Sequence, residues 1–465
     1  MKRLLAAALF ACPLFWACAR ETAGPPRALE SEDMVRPADE WLRQESVRML
    51  RDYVRIDTTA AHGEADGAEF LRRFFECEGI PVETVCPAPG RCNVLARLPG
   101  RRRDGALLLL NHIDVVEAHP PYWKEGGPFE GKIKHGFLYG RGVYDMKSLG
   151  IAQALAMARL KRRGVVPETD ILFLAEADEE IGQRWGLRWL LAHRPEWFAG
   201  VGQVLNEGGT TEMILRDIVF WGLETLQAGY GLLEFEAASE APLESLQARW
   251  PKVSAPPVEP HPHVSIGFDL LANRMASPLT DPLHHLDRVI RNPEELAILP
   301  DRYGTFLEPR MGWSIIYRHP AHPDRPRRLV AVSVPPGTSP EPYLRPIRED
   351  AKRQGLTILT EVISEATSAS PYPTPFTELL QRVTAARWPG ISFGPLPTAG
   401  GYTTSILLRE KGIPTYGYQP IPMNITDAAR RHGNDERVFL RDYVDGVDLL
   451  TEVVEEFATA PPAAK

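Results

Sequence analysis

Cysteine is scarce in this chain: there are five in 465 residues, and two of them, Cys12 and Cys18, lie near the N-terminus. The three in the body, Cys77, Cys86 and Cys92, are too few for a zinc site made of four thiolates. A surplus of positive charge is missing too. The formal net charge is −8, which excludes the basic face that nucleic-acid binding needs. No internal repeat is visible, so the chain is not a repeat array. The apolar stretch at residues 4–16 is too short to cross a membrane as a helix. What remains is ordinary for a globular protein: 44% hydrophobic and 25% charged residues. Proline is frequent but scattered, which reads as rigid loops rather than disorder. The length gives room for two domains, one of which can be inserted in the other.

Residues 1–18 read as a targeting segment. Met1-Lys2-Arg3 is a basic start, residues 4–16 form the apolar core, and Ala17-Cys18 resembles a bacterial lipoprotein cleavage site. Phe15 stands where Leu is usual, and Leu9-Phe10-Ala11-Cys12 is a competing site. Plain signal-peptidase cleavage is the alternative. The expectation is an exported protein of the bacterial cell envelope, anchored to lipid at Cys18 and facing the periplasm. Residues 19–39 read as a tether rich in Pro, Glu and Ala. An exported chain can keep disulfides. Cys86 and Cys92 flank a Pro-Ala-Pro-Gly-Arg turn between strand-like runs, so two readings stand: a hairpin disulfide with Cys77 free, or three buried thiols.

Apolar periodicity predicts helices over 41–55, 68–78, 150–163 and 186–193. Residues 107–110 and 171–174 are short continuous apolar runs, as expected of strands buried on both faces, and 201–205 reads as a third strand. Strands alternating with helices predict an α/β layer with a mostly parallel sheet. From 228 to 369 the pattern turns α+β, with a Pro-rich interruption at 250–262. After 370 the α/β pattern resumes. The predicted organisation is one domain in two parts, 40–227 and 370–465, interrupted by an inserted lid domain at 228–369.

Five acidic and histidine motifs punctuate the α/β parts: Asn111-His112-Ile113-Asp114, the Gly140 to Lys147 turn with Asp145, Asp178-Glu179-Glu180, Asn206-Glu207-Gly208-Gly209, and Arg431-His432-Gly433-Asn434-Asp435-Glu436. Taken singly, each is a common surface pattern. Taken together, three buried strands each end in a candidate ligand at the same edge of one sheet, where α/β folds place their sites. His112 can bind a metal through one ring nitrogen while Asp114, two residues on, accepts the proton of the other. Asp145 can share its oxygens between two cations about 3.5–4 Å apart. Glu179 and Glu180 are adjacent and so point in different directions, one to a metal and one to a water. Gathering these acids without cations is costly, because like charges raise each other's pKa. The set fits a pair of hydrolytic zinc ions. Cobalt or manganese suits a carboxylate-rich site as well.

With those motifs in that order, the chain resembles the dinuclear zinc amidohydrolases that include carboxypeptidase S, aminoacylase, acetylornithine deacetylase and succinyl-diaminopimelate desuccinylase, the peptidase family M20-like group. The matching text also includes Trp123, Pro128-Phe129, Thr398-Ala-Gly-Gly and His432-Gly-Asn-Asp-Glu-Arg. The resemblance implies a zinc-exopeptidase-like catalytic domain with a lid and dimerisation-type insert. It implies that His112, Asp145 and Glu207 hold one metal and that Asp145, Glu180 and His432 hold the other. Glu179 would be the general base that activates the bridging water, with Asp114 orienting His112. A cis peptide would follow Asp145, and Gly400-Gly401 would approach the substrate's carboxylate. The substrate would be a short peptide or an N-acyl amino acid, cut at an amide beside a free carboxylate.

The insert departs from the family. Its usual Gly-x-x-His-x-Ser motif is replaced by Ala241-Pro-Leu-Glu-Ser, with His263 the nearest substitute. The usual Asp-x-Arg-x-x-Pro-Gly strand reads Ala331-Val-Ser-Val-Pro-Pro-Gly, without either charge. The resemblance therefore carries the metal set, but not the homodimer, the substrate pocket or the oxyanion donor. Two other readings stand beside the hydrolase: a non-catalytic surface binding lipoprotein of the same fold, and an aminopeptidase that reads a free amine.

Overall fold

The computed structural model describes residues 31–460, apart from 215, 254, 319–321, 366–367 and 398–402. The expected targeting segment with Cys12 and Cys18, the start of the tether, and Gly400 and Gly401 lie outside the described residues. Residues 31–39, expected as tether, are largely helical, in Ser31–Val35 and the start of Ala38–Trp41. Met34 packs on Phe137, Tyr139 and Phe439, and Trp41 is fully buried. These apolar contacts draw the segment onto the fold.

The continuous apolar runs become the centre of a six-stranded sheet. From one edge its order is Val82–Ala88, Arg91–Leu98, Thr169–Glu176, Arg102–His112, Val201–Asn206 and Thr415–Gly417. The last four strands run parallel, and the hairpin Val82–Ala88 with Arg91–Leu98 adds antiparallel pairs at the edge. Thr169–Glu176 is buried along its whole length, as the unbroken Ile171-Leu-Phe-Leu run requires. The helices Ser148–Arg162 and Leu440–Thr459 contribute more buried residues to the largest core cluster than any other helix. Cys86 and Cys92 are bonded to each other across the hairpin, and Cys77 is free and exposed.

A second sheet is antiparallel throughout, in the order Arg310–Trp313, Pro326–Val334, Gly229–Glu236 and Thr357–Ser364. Its strand Gly229–Glu236 alternates strictly between buried and half-buried residues. The buried set, including Leu233 and Phe235, meets Leu243, Leu246, Leu344 and Ile347 of the helices Glu240–Arg249 and Glu341–Arg353.

Two apolar clusters form within the expected insert. Its middle forms short helices from Pro262–Ala272 to Asp301–Gly304, and their core includes Phe220 and Leu396, which flank the insert in sequence. Those two side chains belong to a small layer in which Ser392–Pro395 pairs with Asp217–Leu223. Gly267 makes the close approach feasible: a Cβ there would stand 1.8 Å from the Pro395 carbonyl oxygen. Burying each Phe or Leu of this cluster is worth about 1.5–3 kcal/mol, enough to seat the helices on the flanking layer. Among the described residues no helix is long and apolar enough to cross a membrane.

Candidate metal centre

His112 is the last residue of the strand Arg102–His112 and is almost fully buried. Its Nε2 lies 3.2 Å from Asp145 Oδ1 and 4.0 Å from Glu207 Oε2. Its Nδ1 lies 2.8 Å from the main-chain carbonyl oxygen of Asp114. The Asp114 carboxylate meets the ring only at ion-pair distance, its nearer oxygen 3.6 Å from Nδ1. It also accepts the main-chain N–H groups of Glu179 (3.0 Å) and Glu180 (2.9 Å). The reason is local: the strand ends at His112, so the side-by-side rule for residues two apart no longer aims Asp114.

Asp145 sits on a tight turn, Val143–Lys147, entered through Gly142 at φ 73°. The peptide between Asp145 and Met146 is cis, as the resemblance implies. Glu436 holds this turn. Its carboxylate accepts N–H groups from Gly142 (2.9 Å), Tyr144 (2.9 Å) and Asp145 (3.2 Å), and the Arg141 guanidinium at 2.7 Å. The sheet register brings these distant pieces together. Arg437–Phe439 pairs with Phe137–Tyr139, so the residues before 437 run beside those after 139. His432 lies just upstream of that pairing at φ 58°. Its Nε2 is 3.1 Å from both Asp145 Oδ2 and Glu180 Oε1.

The loop with Glu179 and Glu180 is closed at its ends by Asn93. The Asn93 amide oxygen accepts the Ala177 N–H at 2.9 Å, and its Nδ2 donates to the Trp185 carbonyl at 3.0 Å. Gly186 lets the loop close: a Cβ there would stand 1.9 Å from the Ala177 carbonyl oxygen. Glu179 is buried and its Oε1 has no hydrogen-bond partner.

Ligand atoms of His112, Asp145 and Glu180 lie within 4.8 Å of one another, as do those of His112, Glu179 and Glu207. With the His432 contacts, all five expected ligands and Glu179 converge on one place. His263 is elsewhere in contact terms: its Nδ1 pairs with Thr225 Oγ1 at 2.9 Å, and its ring meets Tyr372 edge-on.

Charge in this cluster is badly balanced by protons alone. Burial and then neighbouring carboxylates push the carboxyls of Glu179, Glu180 and Glu207 up. Burial would raise Asp145 as well, but hydrogen bonds to His112 and His432 hold it well below the usual range. Burial opposes protonation of both rings. The neighbouring carboxylates overcome it, raising His112 well above its ordinary value and His432 to about 10. A pair of dications fits this donor set of imidazoles and carboxylates, and would relieve the repulsion.

A profile of Peptidase family M20/M25/M40 matches residues 108–456. The chain belongs to that family. Aminoacylase-1 of Sus scrofa is 35% identical over 167 residues, which span 35% of this chain and 40% of that protein. Aminoacylase-1 of Homo sapiens is 23% identical over 437 residues, 90% of this chain and 96% of that protein. Among solved structures, human carnosine dipeptidase 1 aligns over 90% of this chain and 98% of its own, with a TM-score of 0.66 at 15% identity. An M20 family metallo-carboxypeptidase from Sulfolobus solfataricus aligns over 90% and 100%, with a TM-score of 0.62 at 15% identity. At such identities the structures share the M20 fold, with its mostly parallel sheet.

Sequence reasoning did not assign roles to Glu436, Arg141 or Asn93. Glu436 stands inside a motif that was visible, and its spacing from His432 was the available signal. Nothing in the sequence marks Asn93.

Proposed function

We propose that this M20 protein is a metal-dependent hydrolase that cleaves an amide bond beside a free carboxylate, in short peptides or N-acyl amino acids. The observation that carries the reading is the position of Glu179: a buried carboxylate whose Oε1 has no hydrogen-bond partner among the described residues, within 4.8 Å of ligand atoms of His112 and Glu207, beside the Asp145 that contacts both imidazoles. His112, Asp145 and Glu207 would hold one ion, and Asp145, Glu180 and His432 the other, zinc by preference and cobalt or manganese as substitutes. A bound pair supplies Lewis acidity toward the amide carbonyl and lowers the pKa of water. Glu179 takes the proton from the attacking water and returns it to the leaving nitrogen. Asp114 fixes that base by holding its main-chain N–H.

The test is a panel of dipeptides and N-acyl amino acids with zinc-loaded protein. Hydrolysis is expected, and Glu179→Gln should keep its zinc while losing about 10²–10⁴-fold in kcat. Loaded protein that turns over nothing on the panel would sink the reading. Cleavage of N-free but not N-blocked substrates would favour an aminopeptidase instead. We also propose export with a lipid anchor at Cys18, supported by the N-terminal pattern and by the Cys86–Cys92 disulfide. Loss of membrane association in Cys18→Ala checks it.

A further inference from the structure

Arg431 precedes the metal-site His432, and its guanidinium makes only a loose ion pair. Its Nε lies 3.8 Å from Asp145 Oδ2, too far for a hydrogen bond, and the side chain is 41% exposed. It makes no hydrogen bond to any described residue. The charges it faces are Asp145, Glu207 and Glu180, with the Tyr144 phenol beside them. Two other cations near the cluster are engaged elsewhere. Lys147 donates to the carbonyls of Tyr53 and Ile56 at 3.2 and 2.6 Å, and Arg141 is gripped by Glu436. The stretch Ala331-Val-Ser-Val holds no Arg, and Arg327 earlier in the same strand is paired with Glu236 at 3.0 Å.

Two dications do not fully neutralise Asp114, Asp145, Glu179, Glu180 and Glu207. An anionic substrate therefore needs a further cation to approach this site. A planar fork of N–H donors that makes no side-chain hydrogen bond among the described residues suits a carboxylate. In a peptide or N-acyl amino acid the terminal carboxylate lies only a few bonds from the scissile carbonyl, so its reader must stand immediately beside the ligand cluster. We propose that Arg431 is that reader: its guanidinium pairs with the free carboxylate of the substrate and selects acids over their neutral amides. The assignment rests on the hydrolase reading, and it names the residue behind the substrate class.

The experiment compares zinc-loaded wild type, Arg431→Met and Arg431→Lys on N-acetyl-L-alanine and N-acetyl-L-methionine and on their carboxamides, with zinc content measured for each protein. Arg431→Met should keep its zinc and lose about 10- to 100-fold in kcat/KM on the acids, mostly through KM, the scale of a charge-assisted hydrogen-bond pair. The carboxamides should be unaffected, and Arg431→Lys should recover part of the loss. Equal losses on acids and carboxamides, or no loss on the acids, would overturn the assignment. A calorimetric titration of the same acids into zinc-loaded Glu179→Gln, with and without Arg431→Met, separates the two proposals. If wild type hydrolyses nothing, the hydrolase reading fails alone, provided the acids bind and Arg431→Met abolishes that binding. Acids that do not bind, or bind equally without Arg431, refute the role of Arg431.

Discussion

The two sheets of this molecule treat charge in opposite ways. In the parallel sheet the strand interiors are apolar, and the acids gather beyond the strand ends, buried and crowded. In the antiparallel sheet the polar half of each strand faces outward, and its charges pair across neighbours. Arg348 bridges Glu341 and Glu361 at 2.7 and 2.5 Å with every partner partly in water. Around the metal centre Glu436 also meets an arginine at 2.7 Å, but both side chains are nearly dry. The same kind of contact is therefore worth different amounts. Exposed pairs contribute about 0–1 kcal/mol, whereas breaking a buried one strands a desolvated charge.

The largest expected effect follows from that contrast. Glu436→Ala leaves the Arg141 guanidinium buried without its carboxylate and frees three N–H groups of the Asp145 turn. It should cost about 3–5 kcal/mol in urea unfolding and lower zinc occupancy, because Asp145 is no longer held. Glu341→Ala, on the helix that covers the other sheet, should cost no more than about 1 kcal/mol and leave zinc content alone. Comparable losses in the two variants would erase the distinction between the sheets.

Asn93 gives a sharper version. Asn93→Ala leaves the Ala177 N–H and the Trp185 carbonyl without their partner, a cost of about 2–3 kcal/mol. The loop it closes carries Glu179 and Glu180, so kcat should fall further than stability alone explains, with KM little changed. Asn93→Asp keeps an acceptor for Ala177 and should retain more activity than Asn93→Ala. Wild-type turnover per folded molecule in Asn93→Ala would show that Asp114 alone positions the loop.

The ligands were legible because metal chemistry demands particular side chains at strand ends, and His112 and Glu180 come at the ends of strands whose apolar runs are unmistakable. Their supports were not. Asn93 acts on Ala177 from 84 residues away, and Glu436 on Arg141 from 295, and no local pattern records a contact over that distance. Asp114 shows the limit of a local rule, since the strand on which its aim was judged stops two residues earlier. The helices between 262 and 304 were missed for a different reason. Most are short and Pro-punctuated, and their shared core is completed by Phe220 and Leu396 from outside the segment.

His263, on the first of those helices, offers the smallest and most selective probe of the comparison. It was expected near substrate, and its ring instead pairs with Thr225 where the chain enters the insert. Burial lowers its pKa to about 4, with His261 and Arg409 adding repulsion. In the unfolded chain the ring titrates near 6.5. Between those values the unfolded state binds the proton and the folded state refuses it, so stability falls as pH drops from 6.5 toward 4. Above 6.5 the contribution is fully present. Allowing for partial exposure, the loss should be about 1–2 kcal/mol across that window. Urea unfolding of wild type and His263→Gln at several pH values checks it: the difference between the two proteins should shrink or reverse toward the acid end. A difference independent of pH would mean that the imidazole is not held neutral at this junction, and that the insert's helices press on the catalytic layer less tightly than the core around Phe220 implies.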